Sequence, residues 1–189
     1  MYHPLHELVG EAVAGAELVG YTVLRDTACG GDQHLPLFCS ELKSFATQFC
    51  NVDLVILGPS PPGDGYDKVK VVLEIEEANV KPVQVFGKFF SCALSSYFIH
   101  EIANNAPVPM ADSVLFVQIL DTSKLKKDRT AKMEQWRNIE RTIQGVIPIK
   151  GSPFDHYKLF FGDNRDFAVN GAARETLVEG LRSFPIVKD

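Results

Sequence analysis

The chain has 189 residues, 46% of them hydrophobic and 23% charged, with a formal net charge of −5. These are ordinary values for a globular protein long enough to bury a core; they give no sign of a polyanion partner, and no segment nears the ~20 consecutive apolar residues of a membrane span. The four cysteines, Cys29, Cys39, Cys50 and Cys92, are widely spaced with no C-x-x-C pair, which argues against a zinc knuckle or a disulfide scaffold and for reduced thiols in a cytoplasmic protein.

In chain order, residues 3–18 place apolar side chains at Leu5, Leu8, Val9, Ala12, Val13 and Ala16, the spacing of an amphipathic helix. The same N-terminus holds His3, His6, Glu7 and Glu11 with no basic n-region, so no signal peptide is expected. YTVL (21–24) predicts a short strand, and 25–34 a loop rich in Gly and Asp. Residues 35–50 return to helical spacing at Leu37, Phe38, Leu42, Phe45, Ala46 and Phe49. Two β-rich runs, 52–58 and 68–76, flank a Pro- and Gly-dense connector, which predicts a hairpin. A helix over 82–102 starts at Pro82, a residue suited to a first helical turn, and is expected to pack on the sheet through Phe86, Phe89, Phe90 and Leu94. A buried-type strand (113–120), a charged helix (126–144), a strand (157–162) and a last helix (171–184) follow. The alternation predicts one α/β domain over 1–189, a sandwich of helices around a mixed sheet.

Charge is unevenly spread. Residues 1–120 hold 6 Lys and Arg against 14 Asp and Glu, whereas residues 121–150 hold 8 against 4. The basic run Lys124, Lys126, Lys127, Arg129 and Lys132 is either a footprint for phosphates or a solvated helix face.

The acids interrupt a core strand. Side chains alternate along a strand, so Glu74 and Glu76 share one face with Val72, while Val71, Leu73 and Ile75 take the other. Across the predicted hairpin, Asp53 comes close to Glu74. Adjacent carboxylates repel unless a cation joins them, and oxygen ligands of this kind suit Mg²⁺. The alternative is the wet face of an antiparallel strand. On the following helix, Gln84, Lys88, Ser91 and Ser95 form one polar stripe on an otherwise apolar surface. It either meets the acids or faces solvent.

Asp53, then Glu74-x-Glu76, then Gln84-x-x-x-Lys88 on the next helix resembles the PD-(D/E)xK nuclease superfamily. The resemblance implies a restriction-endonuclease-like αβα sandwich around a central mixed sheet. Its core of a helix, a three-stranded meander, a helix and a strand would occupy about 36–120, with a β/α extension over 121–189. Two departures stand out. Asn51-Val52, not proline, precedes Asp53, and Glu76 holds the usual lysine position, an E-x-E form in which Lys88 on the helix would supply the charge. The resemblance further implies Mg²⁺ or Mn²⁺ held by Asp53, Glu74 and the Ile75 carbonyl, with Glu41 as an upstream helical ligand. Glu76, Lys88 and Gln84 would act on the attacking water and the developing charge, and the basic run would hold DNA. The implied activity is that of a DNA endonuclease, type II restriction-like and homodimeric. The alternatives are a catalytically degenerate module of the same fold that binds nucleic acid or protein, and an unrelated α/β domain.

Overall fold

The computed structural model describes residues 3–59, 67–77, 80–125 and 129–184. Its elements are α1 (Pro4–Ala14), β1 (Thr22–Arg25), β2 (Leu35–Phe38), β3 (Gln48–Val52), β4 (Leu54–Gly58), β5 (Lys68–Glu76), α2 (Pro82–Ala93), β6 (Tyr97–Ile99), a 3-10 turn (Glu101–Ala103), β7 (Pro107–Asp121), α3 (Arg129–Val146), β8 (Phe154–Gly162) and α4 (Ala172–Ser183). The strands form a mixed sheet in the order β1-β4-β5-β7-β6-β2-β3, with β8 also pairing with β7. β1, β4 and β5 are antiparallel, whereas β5, β7 and β8 run parallel.

Both faces of the sheet are covered. One face buries Val55, Val72 and Phe116 under Val85 and Phe89 of α2 and Trp136, Ile139 and Ile143 of α3. The other buries Leu54, Ile56, Val71, Leu73 and Ile75 against Leu5, Val9 and Val13 of α1 and Leu177 and Leu181 of α4. Burial on both faces explains why β4 reads as an unbroken apolar run instead of an alternation. α1 seats closely: a side chain at Gly10 would come within 2.2 Å of the Cys29 carbonyl.

Two predicted helices are corrected. Residues 35–50 form β2, a turn and the start of β3. Leu42, Phe45 and Phe49, which would have been a buried helical stripe, are exposed. A short apolar run satisfies both the 3.6 and the 2.0 period, and here turn chemistry decides. The Thr47 hydroxyl accepts from the Ser44 amide at 3.2 Å and closes the hairpin, and Pro36 biases Leu35 to an extended backbone. The helix expected over 82–102 ends at Ala93. The Ser95 hydroxyl donates to the Ser91 carbonyl at 2.9 Å, and Tyr97-Phe98-Ile99, aromatic and β-branched, leave to pair with β2 and β7. Phe90 and Leu94, expected to pack on the sheet, are therefore 41% and 56% exposed. β7 and β8 begin earlier than predicted, and the N-terminal end of β7 pairs with β6.

Candidate metal centre

Asp53 is the bend residue between β3 and β4, where the chain passes from pairing with β2 to pairing with β1 and β5. Leu54 faces Leu73 across the β4–β5 ladder, which sets Asp53 beside Glu74. The bend is pinned on three sides. The Asp53 amide donates to the Leu73 carbonyl at 3.2 Å, its carbonyl accepts from the Asp26 amide at 2.9 Å, and its Oδ2 accepts from the Ile75 amide at 2.6 Å. The Ile75 N–H thus orients the Asp53 carboxylate.

Lys88, two turns into α2, donates from Nζ to Glu74 Oε2 at 3.0 Å. The polar stripe of α2 therefore meets the acids at this residue. Glu74 is fully buried, whereas the Lys88 side chain is 40% exposed. Burial, then the charge of Asp53, lifts the Glu74 carboxyl well above the usual range against the pull of Lys88. Asp53 and Glu76 are also raised, chiefly by burial. Burial alone would lower the Lys88 ammonium pKa, but the charges of Glu74, Asp53 and Glu76 outweigh it and raise it. The raised acids and the raised lysine express one deficit: three carboxylates share a single lysine, and the lysine stays charged while the acids cannot all ionise at ease. Glu74 Oε1 and Glu76 Oε1 are buried without a hydrogen-bond partner among the described residues, a condition native proteins rarely leave uncompensated.

Two further residues reach this place without having been expected. Gln118 of β7 pairs with Glu74 in the parallel ladder and is fully buried. Its Oε1 accepts from the Tyr157 hydroxyl at 2.9 Å, and its Nε2 has no partner. His6 of α1 comes from the other face of the sheet. Its Nδ1 lies 3.0 Å from Glu77 Oε1, and its Nε2 lies 3.6 Å from Asp53 Oδ2. Glu77 Oε1 also accepts from the His6 amide at 2.9 Å, and Glu77 Oε2 lies 3.5 Å from His3 Nδ1. Burial works against ionisation of Glu77, but its bonds to His6 outweigh burial and lower its pKa. Among the described residues, His3, His6 and Glu77 offer three ligand atoms within 4.8 Å of one another. The available signal was H-x-x-H at a proline-started helix, but nothing local says that β5 ends beside it.

Other expected residues fall elsewhere. Glu41 lies exposed in the β2–β3 turn, not on a helix, and accepts from the Tyr97 hydroxyl at 3.2 Å. The Gln84 side-chain carbonyl accepts from the Lys81 amide at 2.8 Å, so it closes the first turn of α2 and is not directed at the acids. Lys124 sits at the rim, donating to the Glu77 carbonyl at 3.1 Å. Lys132 donates to Gln135 and lies over the Trp136 ring. Lys126, Lys127 and the Arg129 side chain lie outside the described residues.

Carboxylate oxygens and an imidazole are donors that divalent cations accept, but among the described residues it is His3, His6 and Glu77, and not Asp53, Glu74 and Glu76, whose ligand atoms lie within 4.8 Å of one another. Comparison with protein-family models, curated proteins and solved structures gives no match.

Proposed function

We propose that this protein is a divalent-metal-dependent endodeoxyribonuclease of the restriction-endonuclease-like, PD-(D/E)xK kind. The observation that carries the reading is the buried, charge-deficient cluster Asp53, Glu74 and Glu76 with Lys88 bonded into it. Topology supports it. The order α1, then the meander β1-β4-β5, then α2, then β7 matches the helix, meander, helix and strand of that family, with the β2–β3 hairpin as an insertion. On this reading the core runs over Pro4–Asp121, not 36–120, and the upstream helix is α1, which removes Glu41 as a ligand.

Asp53, Glu74 and the Ile75 carbonyl would hold Mg²⁺ or Mn²⁺, with Glu76 beside them. When bound, such an ion polarises the scissile phosphate and makes water more acidic. Glu76, its pKa lifted by burial, accepts a proton from the attacking water; a base works best when its pKa approaches the working pH. Lys88 offsets the negative charge that builds on the phosphoryl oxygens. Gln118, anchored through Tyr157, offers the free amide donor to the water that Gln84 was expected to supply. Lys124 at the rim, and Lys132 with the exposed Arg137 and Arg141 along α3, hold backbone phosphates; Lys126, Lys127 and Arg129 belong to the same basic run. Cutting both strands calls for two such sites, hence a homodimer.

Glu76 in the usual lysine position favours a second reading, a catalytically degenerate module that still binds nucleic acid. Supercoiled plasmid separates the two. With Mg²⁺ or Mn²⁺ the wild type should nick it, Asp53→Asn should not, and Lys88→Ala should be slower by ~10²-fold, the scale of losing one transition-state contact. DNA binding without nicking by the wild type under either ion would overturn the enzyme and leave the module.

A further inference from the structure

We propose that Cys50 and Cys92 are a reactive dithiol, oxidised by a hydroperoxide to a disulfide that joins the edge strand β3 to α2. This inference does not depend on the metal-centre reading above.

The fold brings together two cysteines that are distant in the chain. The Cys50 and Cys92 sulfurs lie 3.5 Å apart, in hydrogen-bond contact. A disulfide draws two sulfurs to about 2.05 Å, a gap that small rotations about the two Cα–Cβ bonds close. Cys92 lies on the inner face of α2 and is 0% exposed. Cys50 is half-buried on β3, the last strand of the sheet, which has β2 on one side only. A small oxidant therefore reaches Cys50 first. Cys29 is buried and Cys39 half-buried, and neither touches another sulfur among the described residues.

Surroundings sort the two thiols into roles. The thiolate is the nucleophile in this chemistry. The hydrogen bond from Cys92 lowers the Cys50 pKa against the effect of burial, and the charge of Lys88 adds to the lowering. Burial, and then the bond to Cys50, raises the Cys92 pKa. Cys50 is thus the attacking sulfur and Cys92 the resolving one. An accessible thiol of lowered pKa beside a second thiol is the arrangement that oxidises reversibly.

The Cys50 thiolate attacks one oxygen of the hydroperoxide. An S–O bond forms, the O–O bond breaks, and the departing oxygen takes up the proton Cys50 had released. The Cys92 sulfur then attacks the Cys50 sulfur. The S–S bond forms, the S–O bond breaks, and the hydroxyl leaves as water with the Cys92 proton. Two thiols lose two electrons and two protons, and hydrogen peroxide becomes two waters. Lys88 and Cys92 are one turn apart on the same face of α2, so the new bond fastens β3 beside the lysine that holds Glu74.

The test treats the wild type in chelator with hydrogen peroxide, quenches with catalase, unfolds it in N-ethylmaleimide and maps the digest by mass spectrometry. Of the four cysteines, two should escape the maleimide, in a Cys50–Cys92 cross-linked peptide from monomeric chains that dithiothreitol reverses. In Cys92→Ala, dimedone should tag Cys50 as a sulfenic acid with no resolving thiol; in Cys50→Ala, Cys92 should stay untagged. Four labelled thiols after peroxide, or a cross-link through Cys39 or between chains in place of Cys50–Cys92, would overturn the dithiol. A dimedone tag on Cys92 in Cys50→Ala would overturn the assigned roles. The wild-type map stands whether or not the variants fold, and the chelator keeps its outcome separate from metal binding.

Discussion

Glu74 is the central residue of the cluster, because it is fully buried and has one oxygen on Lys88 and the other without a partner among the described residues. A side chain so placed lowers stability unless something offsets it. Glu74→Gln should therefore raise the melting temperature in chelator by about 2–4 °C, the shift that ~1 kcal/mol gives a chain of this size, while abolishing Mn²⁺-induced stabilisation. A lower melting temperature in chelator would mean that the Lys88 pair is a net support. The pH dependence has a definite sign. Glu74, Asp53 and Glu76 have folded pKa values above their unfolded ones, so each holds its proton more tightly when folded. The stability they lend is present below the ordinary carboxylate range of about 4 and is lost as pH rises through their raised values. Glu77 is shifted the other way, so its contribution is present above that range and lost below it. A metal-free protein should thus melt lower at pH 7 than at mildly acid pH, and a saturating divalent ion should narrow the gap. Of the residues in this cluster, Asp53, Glu74 and Lys88 were legible because strand alternation and the hairpin fix their neighbours. His6 and Gln118 were not. Their roles depend on which elements lie beside β5, a tertiary fact that no local spacing carries.

Among the elements, α2 sets the position of Lys88, and its packing rests on few side chains. Phe89 is fully buried, edge-on to Phe116 at 5.6 Å and to Tyr157 at 5.4 Å, on the same face as the acids. Leu94, expected from the sequence to pack there, is 56% exposed. Phe89→Ala should cost about 3–5 kcal/mol in denaturant unfolding, and Leu94→Ala less than ~1 kcal/mol. Similar costs for both would show that α2 continues past Ala93 and buries Leu94. The strand β5 and the helices α1, α3 and α4 were legible to within a few residues because their periods run long enough to be unambiguous, whereas β7 begins at Pro107, well before the predicted start at 113. The β2–β3 hairpin was not. Its apolar spacing mimics a helix, and the Ser44–Thr47 turn that decides the matter is a side-chain bond that periodicity does not register.

Across the whole molecule, the acids and the basic segment meet at one place. β5 and β7 are parallel, with Glu76 opposite Leu120, so the carboxylate end of β5 and the start of the 121–150 basic stretch share the carboxyl edge of the sheet. Lys124, bonded to the Glu77 carbonyl, marks the junction. The carboxyl ends of parallel strands are where α/β proteins bind ligands, and here Lys124 stands beside Glu77 at that edge. The uneven charge was legible in the sequence; that β7 lies next to β5, which brings Lys124 to the Glu77 carbonyl, was not. The most direct test is an anomalous difference map from crystals soaked in Mn²⁺. The account predicts one strong peak within about 2.2 Å of Asp53 and Glu74 oxygens; a map with no peak there, or with Mn²⁺ bound only elsewhere, would contradict it.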